Sequence, residues 1–304
     1  MSKSPVSVQD VVVSYDGTAA LDGVSLEIPA DTVAGIAGPD GSGKTTLMRA
    51  LVGLVALDEG GITVLDNAIP DEVDALKPAV GYLPQQLGTQ SHMTVWENLE
   101  YFACLQTVPL SDMRSRMEQL LEVTGLDDFR TRRSENLSGG MRQKLALACA
   151  VVHHPDLLIL DEPTTGVDPL SRRDLWEFIY GLMGQTRCII VATPTWEEAA
   201  RCQWLAILDG GRIISTGTPE ELTGRADGLV FEIATEADIE DDLRGLDGVI
   251  SLRRRGPNMR VIFSASKSGE DIQSALAQQF PDAEVSAADP TLEDGAVVIT
   301  KEQD

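Results

Sequence analysis

The sequence predicts an α/β domain that carries a helical insertion, followed by a small α+β domain. Three observations support this prediction. Short strand patterns near the start give way to helical periodicity between about residues 88 and 150. Strands then alternate with helices up to about residue 222. A length of 304 residues suits one domain of about 200 residues together with a smaller one.

The first part of the chain predicts a mixed sheet. Three short strand patterns separated by turn residues occupy residues 6 to 36: "VSVQDVVVSY", "GVSLEI" and "TVAGIAG". We expect a helix over residues 44–57. A further helix is predicted by apolar residues at the spacing i, i+4, i+7, i+8, namely Met113, Met117, Leu120 and Leu121.

Strand and helix patterns alternate after the helical stretch. In chain order they are "LLILDEP", "SRRDLWEFIYGLM", "CIIVAT", "TWEEAARC" and "WLAILDGGRIIST". This alternation predicts a parallel sheet with crossover helices. The helical stretch at about 88–150 is therefore an insertion into an α/β domain.

The last third of the chain predicts a separate domain. A short helix is predicted to end the first domain at residue 222. It starts with Thr218 as N-cap, Pro219 at N1 and Glu221 at N3. We interpret residues 223–228 as a linker. Residues 229–304 have the order strand, helix, strand, strand, helix, strand, which is typical of a ferredoxin-like domain.

The composition limits the kinds of partner. The formal net charge of -24 is spread along the chain, which argues against nucleic acid or anionic lipid as a direct ligand. The apolar stretches are far shorter than a membrane-spanning helix, and the first residues lack the apolar region of a secretory signal. The four cysteines lie far apart, as reduced thiols of a cytosolic protein do. We expect a cytoplasmic protein with no direct membrane insertion.

The segment "GPDGSGKTT" follows a strand pattern and precedes a helix pattern, as a P-loop requires. Its glycines let backbone N–H groups turn inward and bind phosphate, Lys44 reaches the β- and γ-phosphates, and Thr45 offers a hydroxyl to Mg²⁺. A simple glycine turn is the alternative, which the context disfavours. The predicted phosphate-binding residues are Gly38, Pro39, Asp40, Gly41, Ser42, Gly43, Lys44, Thr45 and Thr46.

A second motif places two carboxylates at the end of the strand "LLILDEP". Open α/β sheets bind ligands at the carboxyl ends of their strands. We expect Asp161 to belong to the Mg²⁺ shell and Glu162 to polarise an attacking water. A third segment, "ENLSGGMRQKLALAC", begins a helix at Ser138 with two glycines and by itself indicates an ordinary N-cap.

The segments "GPDGSGKTT", "LSGGMRQKL" and "LDEPTTGVDP" occur in the order and spacing of the ATP-binding cassette (ABC) family. The sequence resembles that family over roughly residues 5–222, so the fold is expected to be an ABC-type P-loop NTPase. The resemblance implies ATP and Mg²⁺ as cofactors, ATP hydrolysis, a second cassette as partner and a transmembrane permease. The amino-acid sequences of these motifs, and the segment "ADPTLEDGAVVI" near the end of the chain, resemble those of the multidrug-exporter branch of the family.

The resemblance also implies roles for individual residues. Tyr15 matches the aromatic residue that stacks on adenine, although it is also an ordinary strand aromatic. Gln85 matches the glutamine that senses Mg²⁺ and couples to the permease. The stretch Ser138, Gly139 and Gly140 closes over the ATP of a partner cassette. Asp168 lies in the loop that links the two sites, and residues 93–103 resemble the segment that faces the permease.

Two residues depart from the family pattern. The strand "CIIVAT" is followed by Pro194, where the family has the histidine that reaches the γ-phosphate. Proline offers no hydrogen-bond donor, and all three histidines of the chain lie upstream at 92, 153 and 154. We expect Thr195 and Glu198 to form a capping box after the break. Asp40 replaces the usual asparagine, and both changes resemble the degenerate half of fused double-ATPase exporters.

The sequence therefore predicts the ATP-binding subunit of an exporter, peripheral on the cytoplasmic face of the cell membrane, and the hydrolysis-weak half of an ATPase pair. Two other functions stay open. A soluble cassette ATPase of translation or DNA repair would show two cassettes or a long coiled coil. A nucleotide-gated scaffold would bind ATP without useful turnover; Pro194 favours that function and Glu162 argues against it.

Overall fold

The computed structural model describes residues 4–86, 88–235, 237, 239–256, 258–265 and 268–303. The chain divides into two compact units, residues 1–213 and 214–304. Each unit has its own hydrophobic core. The domain boundary at residue 222 and the linker at 223–228 stay predictions, and the contacts group residues 214–222 with the second unit.

The first unit contains a predominantly parallel sheet with the order β10-β9-β3-β8-β7-β6. Strand β3 pairs in parallel with both β8 and β9, and β7 pairs in parallel with both β6 and β8. Every residue of β3, β7 and β8 is buried, as parallel strands covered on both faces must be. The strands are β3 (Thr32–Ala37), β6 (Val80–Leu83), β7 (Leu157–Asp161), β8 (Cys188–Thr193), β9 (Trp204–Asp209) and β10 (Arg212–Gly217), which spans the division between the units.

A second sheet lies in the same unit and is antiparallel, with the order β2-β1-β4-β5. Its strands are β1 (Val6–Tyr15), β2 (Thr18–Ile28), β4 (Glu59–Val64) and β5 (Asn67–Ile69). Buried and exposed residues alternate over much of β1, so one face supplies the core and the other faces solvent. The two sheets together confirm the predicted α/β class.

Helices complete the first unit. They are α1 (Lys44–Leu51), α2 (Val73–Leu76), α3 (Val95–Leu105), α4 (Leu110–Thr124), α5 (Gly139–Val151), α6 (Pro169–Gly181) and α7 (Trp196–Ala199). Helices α3, α4 and α5 share a separate apolar cluster and form the predicted helical insertion. The expectation of a helix over 44–57 is wrong beyond Leu51, because Gly53 adopts the left-handed φ of 70° that ends the helix.

The second unit confirms the ferredoxin-like prediction. Its elements are α8 (Pro219–Thr223), β11 (Val230–Ala234), α9 (Glu240–Arg244), β12 (Val249–Arg255), β13 (Asn258–Phe263), α10 (Gly269–Gln279), β14 (Glu284–Ala287) and α11 (Leu292–Gln303). The four strands form an antiparallel sheet of order β12-β13-β11-β14. The capping box of Thr218 and Glu221 is present at α8 as predicted, whereas the sequence pattern does not predict α11.

Candidate nucleotide-binding site

The P-loop joins β3 to α1, and its geometry requires glycine. Gly41 and Gly43 have φ angles of 80° and 106°, which side-chain-bearing residues rarely adopt. A Cβ atom on Gly43 would lie 2.4 Å from the carbonyl oxygen of Ala20. Glycine at these two positions therefore permits a loop backbone that other residues would strain, as the predicted phosphate-binding role requires.

Lys44 begins α1 and points back across the loop. Its Nζ donates hydrogen bonds to the carbonyl oxygens of Gly38 and Pro39, at 3.0 and 2.9 Å. The residue is only 4% exposed, and this burial lowers the pKa of its ammonium group. The neighbouring carboxylates of Glu162, Asp40 and Asp161 act in the opposite direction and favour the charged form of this lysine.

Asp161 and Glu162 lie where β7 ends, beside the P-loop. The hydroxyl of Thr45 donates to Asp161 Oδ1 at 3.1 Å, and Asp161 Oδ2 is buried with no hydrogen-bond partner among the described residues. Burial raises the pKa of Asp161. Glu162 is a non-glycine residue with a φ of 52°, a backbone strain that persists at functional sites.

Gln85 reaches the same place from the segment after β6. Its Nε2 donates to Glu162 Oε2 at 3.0 Å, and the hydroxyl of Thr165 donates to the same oxygen at 3.1 Å. Thr165 does not stand out in the sequence, because a threonine in a loop has no distinctive pattern. Two donors on one carboxylate oxygen fix the side chain of Glu162 near the P-loop.

These residues line one cavity of about 300 Å³. Its wall consists of Tyr15, Ala20, Asp40, Gly41, Gly43, Lys44, Thr45, Thr46, Gln85 and Glu162. All of these residues except Ala20 are predicted from the sequence, and Ala20 is missed because a small apolar residue in a strand carries no chemical signal. A larger cavity of about 590 Å³ lies between α4 and α6 and contains none of the predicted site residues.

Comparison with known proteins agrees with this geometry. The sequence profile described as ABC transporter matches residues 21–165. The chain is 36% identical over 223 residues to the Nod factor export ATP-binding protein I of Burkholderia thailandensis, covering 73% of each chain. The chain belongs to the ABC transporter family. Its first unit is an ATP-binding cassette, and the ATP-binding subunits of this family are ATPases.

Two further similarities concern length and fold. The chain is 36% identical over 278 residues to YbhF of Escherichia coli K12, named a probable multidrug ABC transporter ATP-binding protein. That match covers 89% of this chain but only 47% of YbhF, so the chain spans about half of that relative. The solved structure of cbiO1 from Clostridium perfringens is 27% identical with a TM-score of 0.66, over 72% of this chain and 90% of that one.

We call Ser138 to Gly140, which the family resemblance assigns to the partner's nucleotide, the signature stretch. It lies at the start of α5 and does not line the cavity of this chain's own P-loop. Ser138 caps the helix by accepting a hydrogen bond from Met141 N at 3.3 Å. A Cβ atom on Gly140 would lie 2.5 Å from the hydroxyl of Ser171, so α5 meets the first turn of α6 there. Asp168 caps α6 by accepting from Ser171 N at 3.0 Å.

Pro194 follows β8 directly and is not among the residues that line the cavity of the P-loop. Ala192, two residues earlier, pairs with Asp161 and accepts a hydrogen bond from Glu162 N at 3.0 Å. Strand β8 therefore runs beside the end of β7 that carries Asp161 and Glu162, while the proline side chain has no polar atom. Of the three histidines, His153 contacts the carbonyl oxygen of Val80 at 3.2 Å at the start of β6.

The predicted capping box after the proline is wrong. Thr195 is the N-cap of α7, but its side chain makes no capping hydrogen bond. The carboxylate of Glu198 instead accepts hydrogen bonds from the hydroxyls of Thr193 and Thr164. Both of these threonines are buried, so their need for an acceptor outweighs a cap at the start of a four-residue helix.

Proposed function

We propose that this chain is the ATP-binding subunit of an exporter, which binds Mg-ATP between two cassettes and couples their closure and hydrolysis to a membrane permease. One observation carries this proposal. Lys44 and Thr45 of the P-loop meet Gln85 and Glu162 around a single cavity, and Thr45 bonds to Asp161 beside it. Export is supported by the relatives, whose names describe multidrug and Nod factor export.

The residues beside the P-loop suit a magnesium ion. Mg²⁺ prefers oxygen ligands and is held in proteins by one or two side-chain groups together with the phosphates of the nucleotide. The buried Oδ2 atom of Asp161, which lacks a partner among the described residues, is such an oxygen, and the hydroxyl of Thr45 lies next to it. We assign Thr45, Asp161 and Gln85 to this ion, which when bound neutralises charge on the β- and γ-phosphates.

The chain's own residues can then act on the nucleotide. Inward N–H groups of the loop and the Lys44 ammonium group bind the phosphate oxygens, and Tyr15 provides a 46% exposed ring for the base. Glu162 polarises the attacking water while Gln85 and Thr165 hold its carboxylate. In a head-to-tail pair, the stretch from Ser138 to Gly140 closes over the partner's nucleotide.

We propose further that this chain is the weak half of an unequal pair. Pro194 occupies the histidine's position in the sequence and supplies no donor for the γ-phosphate or the water. Loss of one preorganised donor at a reacting centre costs about 10²–10³ in rate. The signature stretch is intact, so a partner cassette that carries the histidine would still receive a complete site.

A second candidate function follows from the same proline. A nucleotide-gated scaffold would bind ATP and pair with another cassette without useful turnover. Pro194 suits such a module as well as it suits a slow ATPase. The well-held carboxylate of Glu162 favours the ATPase, because a scaffold has no need of an oriented base.

The proposed contact with a permease lies on the helical insertion. Helix α3 exposes Tyr101 and Leu105, which are 38% and 58% exposed, and Leu110 at the start of α4 is 85% exposed. Exposed large apolar side chains close together mark interaction sites. No described helix has the length and apolarity to cross a membrane. We propose that this exposed apolar group contacts the permease and so places the chain on the cytoplasmic face of the membrane.

A membrane-binding experiment tests this part of the proposal. The membrane protein that co-purifies with the chain is first isolated. The chain is then mixed with membranes that contain or lack this protein, and with anionic liposomes free of protein. We expect binding only where the membrane protein is present, because the net charge of -24 opposes attraction to anionic lipid. Replacing Leu105 with Asp should abolish that binding, while the same change at the exposed Val123 should not. Equal binding to bare liposomes would contradict the proposal.

A further inference from the structure

Glu198 is a buried carboxylate that the reaction described above does not use. It lies in α7, only 4% exposed, four residues beyond Pro194. Its neighbour Glu197 is exposed on the same helix. Ionised carboxylates are rarely buried unless other groups compensate the loss of water, so the partners of Glu198 show what it holds.

One oxygen of Glu198 holds the end of strand β8. Oε2 accepts a hydrogen bond from the hydroxyl of Thr193 at 2.9 Å, and Thr193 is fully buried directly before Pro194. The same hydroxyl accepts a hydrogen bond from Thr195 N at 3.2 Å. Glu198 thus fixes the backbone on both sides of the position where the family has its histidine.

The other oxygen holds the loop at residues 163–168, which follows Glu162. Oε1 accepts a hydrogen bond from the hydroxyl of Thr164, and the Nε atom of Arg172 lies 3.4 Å from the same oxygen. Arg172 also directs its Nη2 to the carbonyl oxygen of Val167, at 3.5 Å. The loop is therefore held near both ends by one buried carboxylate and its arginine.

The far side of this loop meets the signature stretch. A Cβ atom on Gly139 would lie 3.8 Å from the carbonyl oxygen of Gly166, and one on Gly140 would lie 3.7 Å from a side-chain carbon of Val167 and 2.5 Å from the hydroxyl of Ser171, at the start of α6. Because Gly139 and Gly140 have no side chains, the backbone of the signature stretch can lie close to the loop. The loop and the signature stretch therefore adjoin at Gly166 and Val167, where packing can transmit a small shift of the loop to Gly139 and Gly140.

We propose that Glu198 is a positioning residue that fixes loop 163–168 between position 194 and the signature stretch. Nucleotide binding at this chain's P-loop then alters the conformation of Ser138 to Gly140 through this loop. This inference rests on the proposed function, because the signature stretch acts on the partner's nucleotide.

The test compares Glu198→Gln with Glu197→Gln in the full chain by hydrogen exchange and mass spectrometry. Both variants remove one negative charge from the same helix. Without nucleotide, exchange at the amides of Thr165 and Val167 should be about tenfold faster in Glu198→Gln, because a charged acceptor has been lost. In Glu197→Gln it should equal that of the unmodified chain.

Saturating Mg-ATP provides the readout that a purely structural role would not change. In both variants, Mg-ATP should still protect the P-loop at residues 38–46. Protection that the nucleotide adds at residues 138–142 should persist in Glu197→Gln and fall about threefold or more in Glu198→Gln. Equal protection at 138–142 in the two variants would overturn the inference.

Arg172→Gln supplies a second test that does not depend on the folding of Glu198→Gln. It removes the arginine's contacts with Glu198 and Val167 but leaves the hydrogen bond between Glu198 and Thr193. Exchange should therefore rise at residues 166–168 and stay unchanged at Thr195. If hydrogen exchange in Arg172→Gln is unchanged at residues 166–168 as well as at Thr195, the inference is overturned. If Mg-ATP fails to protect the P-loop of the unmodified chain, the proposed function is wrong, whereas the comparison without nucleotide still decides the role of Glu198.

Discussion

At the scale of single residues, Lys44 already has its ammonium group held within the P-loop by hydrogen bonds. Its ammonium group is buried and donates to two carbonyl oxygens of its own loop, at 3.0 and 2.9 Å. Carbonyl oxygens are weaker acceptors than phosphate oxygens, which carry full negative charge. A nucleotide can therefore take over these hydrogen bonds with a net gain, and the lysine needs no large rearrangement to bind it.

Replacing Lys44 with Ala tests this account. A hydrogen bond to a charged group is worth about 1.5–3 kcal/mol, so the affinity for Mg-ATP should fall roughly 10- to 150-fold. Lys77→Ala is the control, because Lys77 forms a surface ion pair with Asp74 and is 68% exposed. Titration calorimetry would measure both variants. Equal affinities in Lys44→Ala and Lys77→Ala would show that the P-loop has been misassigned.

Motifs in the sequence identify most of the residues that line the candidate site, because the spacing within each motif is local. Lys44 and Thr45 are adjacent, and Asp161 and Glu162 are adjacent, so the fold only has to join two short segments. Sequence reasoning misassigns Glu198 to a capping box for the opposite reason. Its partner Thr164 is 34 residues away, and only the three-dimensional structure shows that this hydroxyl competes with the local cap.

At the scale of elements, the strands and the helical insertion follow from sequence periodicity, but α11 does not. Its sequence "LEDGAVVITKEQ" contains Gly295 and then a run of four β-branched residues at 297–300, a pattern that disfavours a helix by propensity. Packing overrides this preference. A Cβ atom on Gly295 would lie 2.1 Å from the carbonyl oxygen of Leu222, so the glycine lets α11 lie directly against α8.

This close approach predicts an unusual effect of alanine. In a helix, Gly→Ala normally stabilises the fold by up to about 1 kcal/mol. Gly295→Ala should instead destabilise the second unit by about 1–3 kcal/mol, because the added methyl group has no room. Gly181→Ala is the matched control, since nothing described lies within 4 Å of a Cβ atom there in α6. Thermal melting would compare them; a higher melting temperature for Gly295→Ala would contradict the packing described here.

At the scale of the whole molecule, the chain supplies one P-loop and one signature stretch, which in this family work in different sites. At its P-loop site, Gln85 and Thr165 bond to Glu162, and Pro194 follows the neighbouring strand β8. Its signature stretch is intact in the sequence and, in the proposed pair, acts on the partner's nucleotide. The central claim is that the two sites of such a pair are unequal.

The most direct measurement is the ATPase rate of the purified chain and of Pro194→His at saturating Mg-ATP. Glu162→Gln in both backgrounds serves as the control for contaminating activity. We predict slow turnover by the unmodified chain and a rate about 10²-fold higher in Pro194→His, because a donor at the γ-phosphate has been restored. Rapid turnover by the unmodified chain, at the rate of Pro194→His, would contradict the claim.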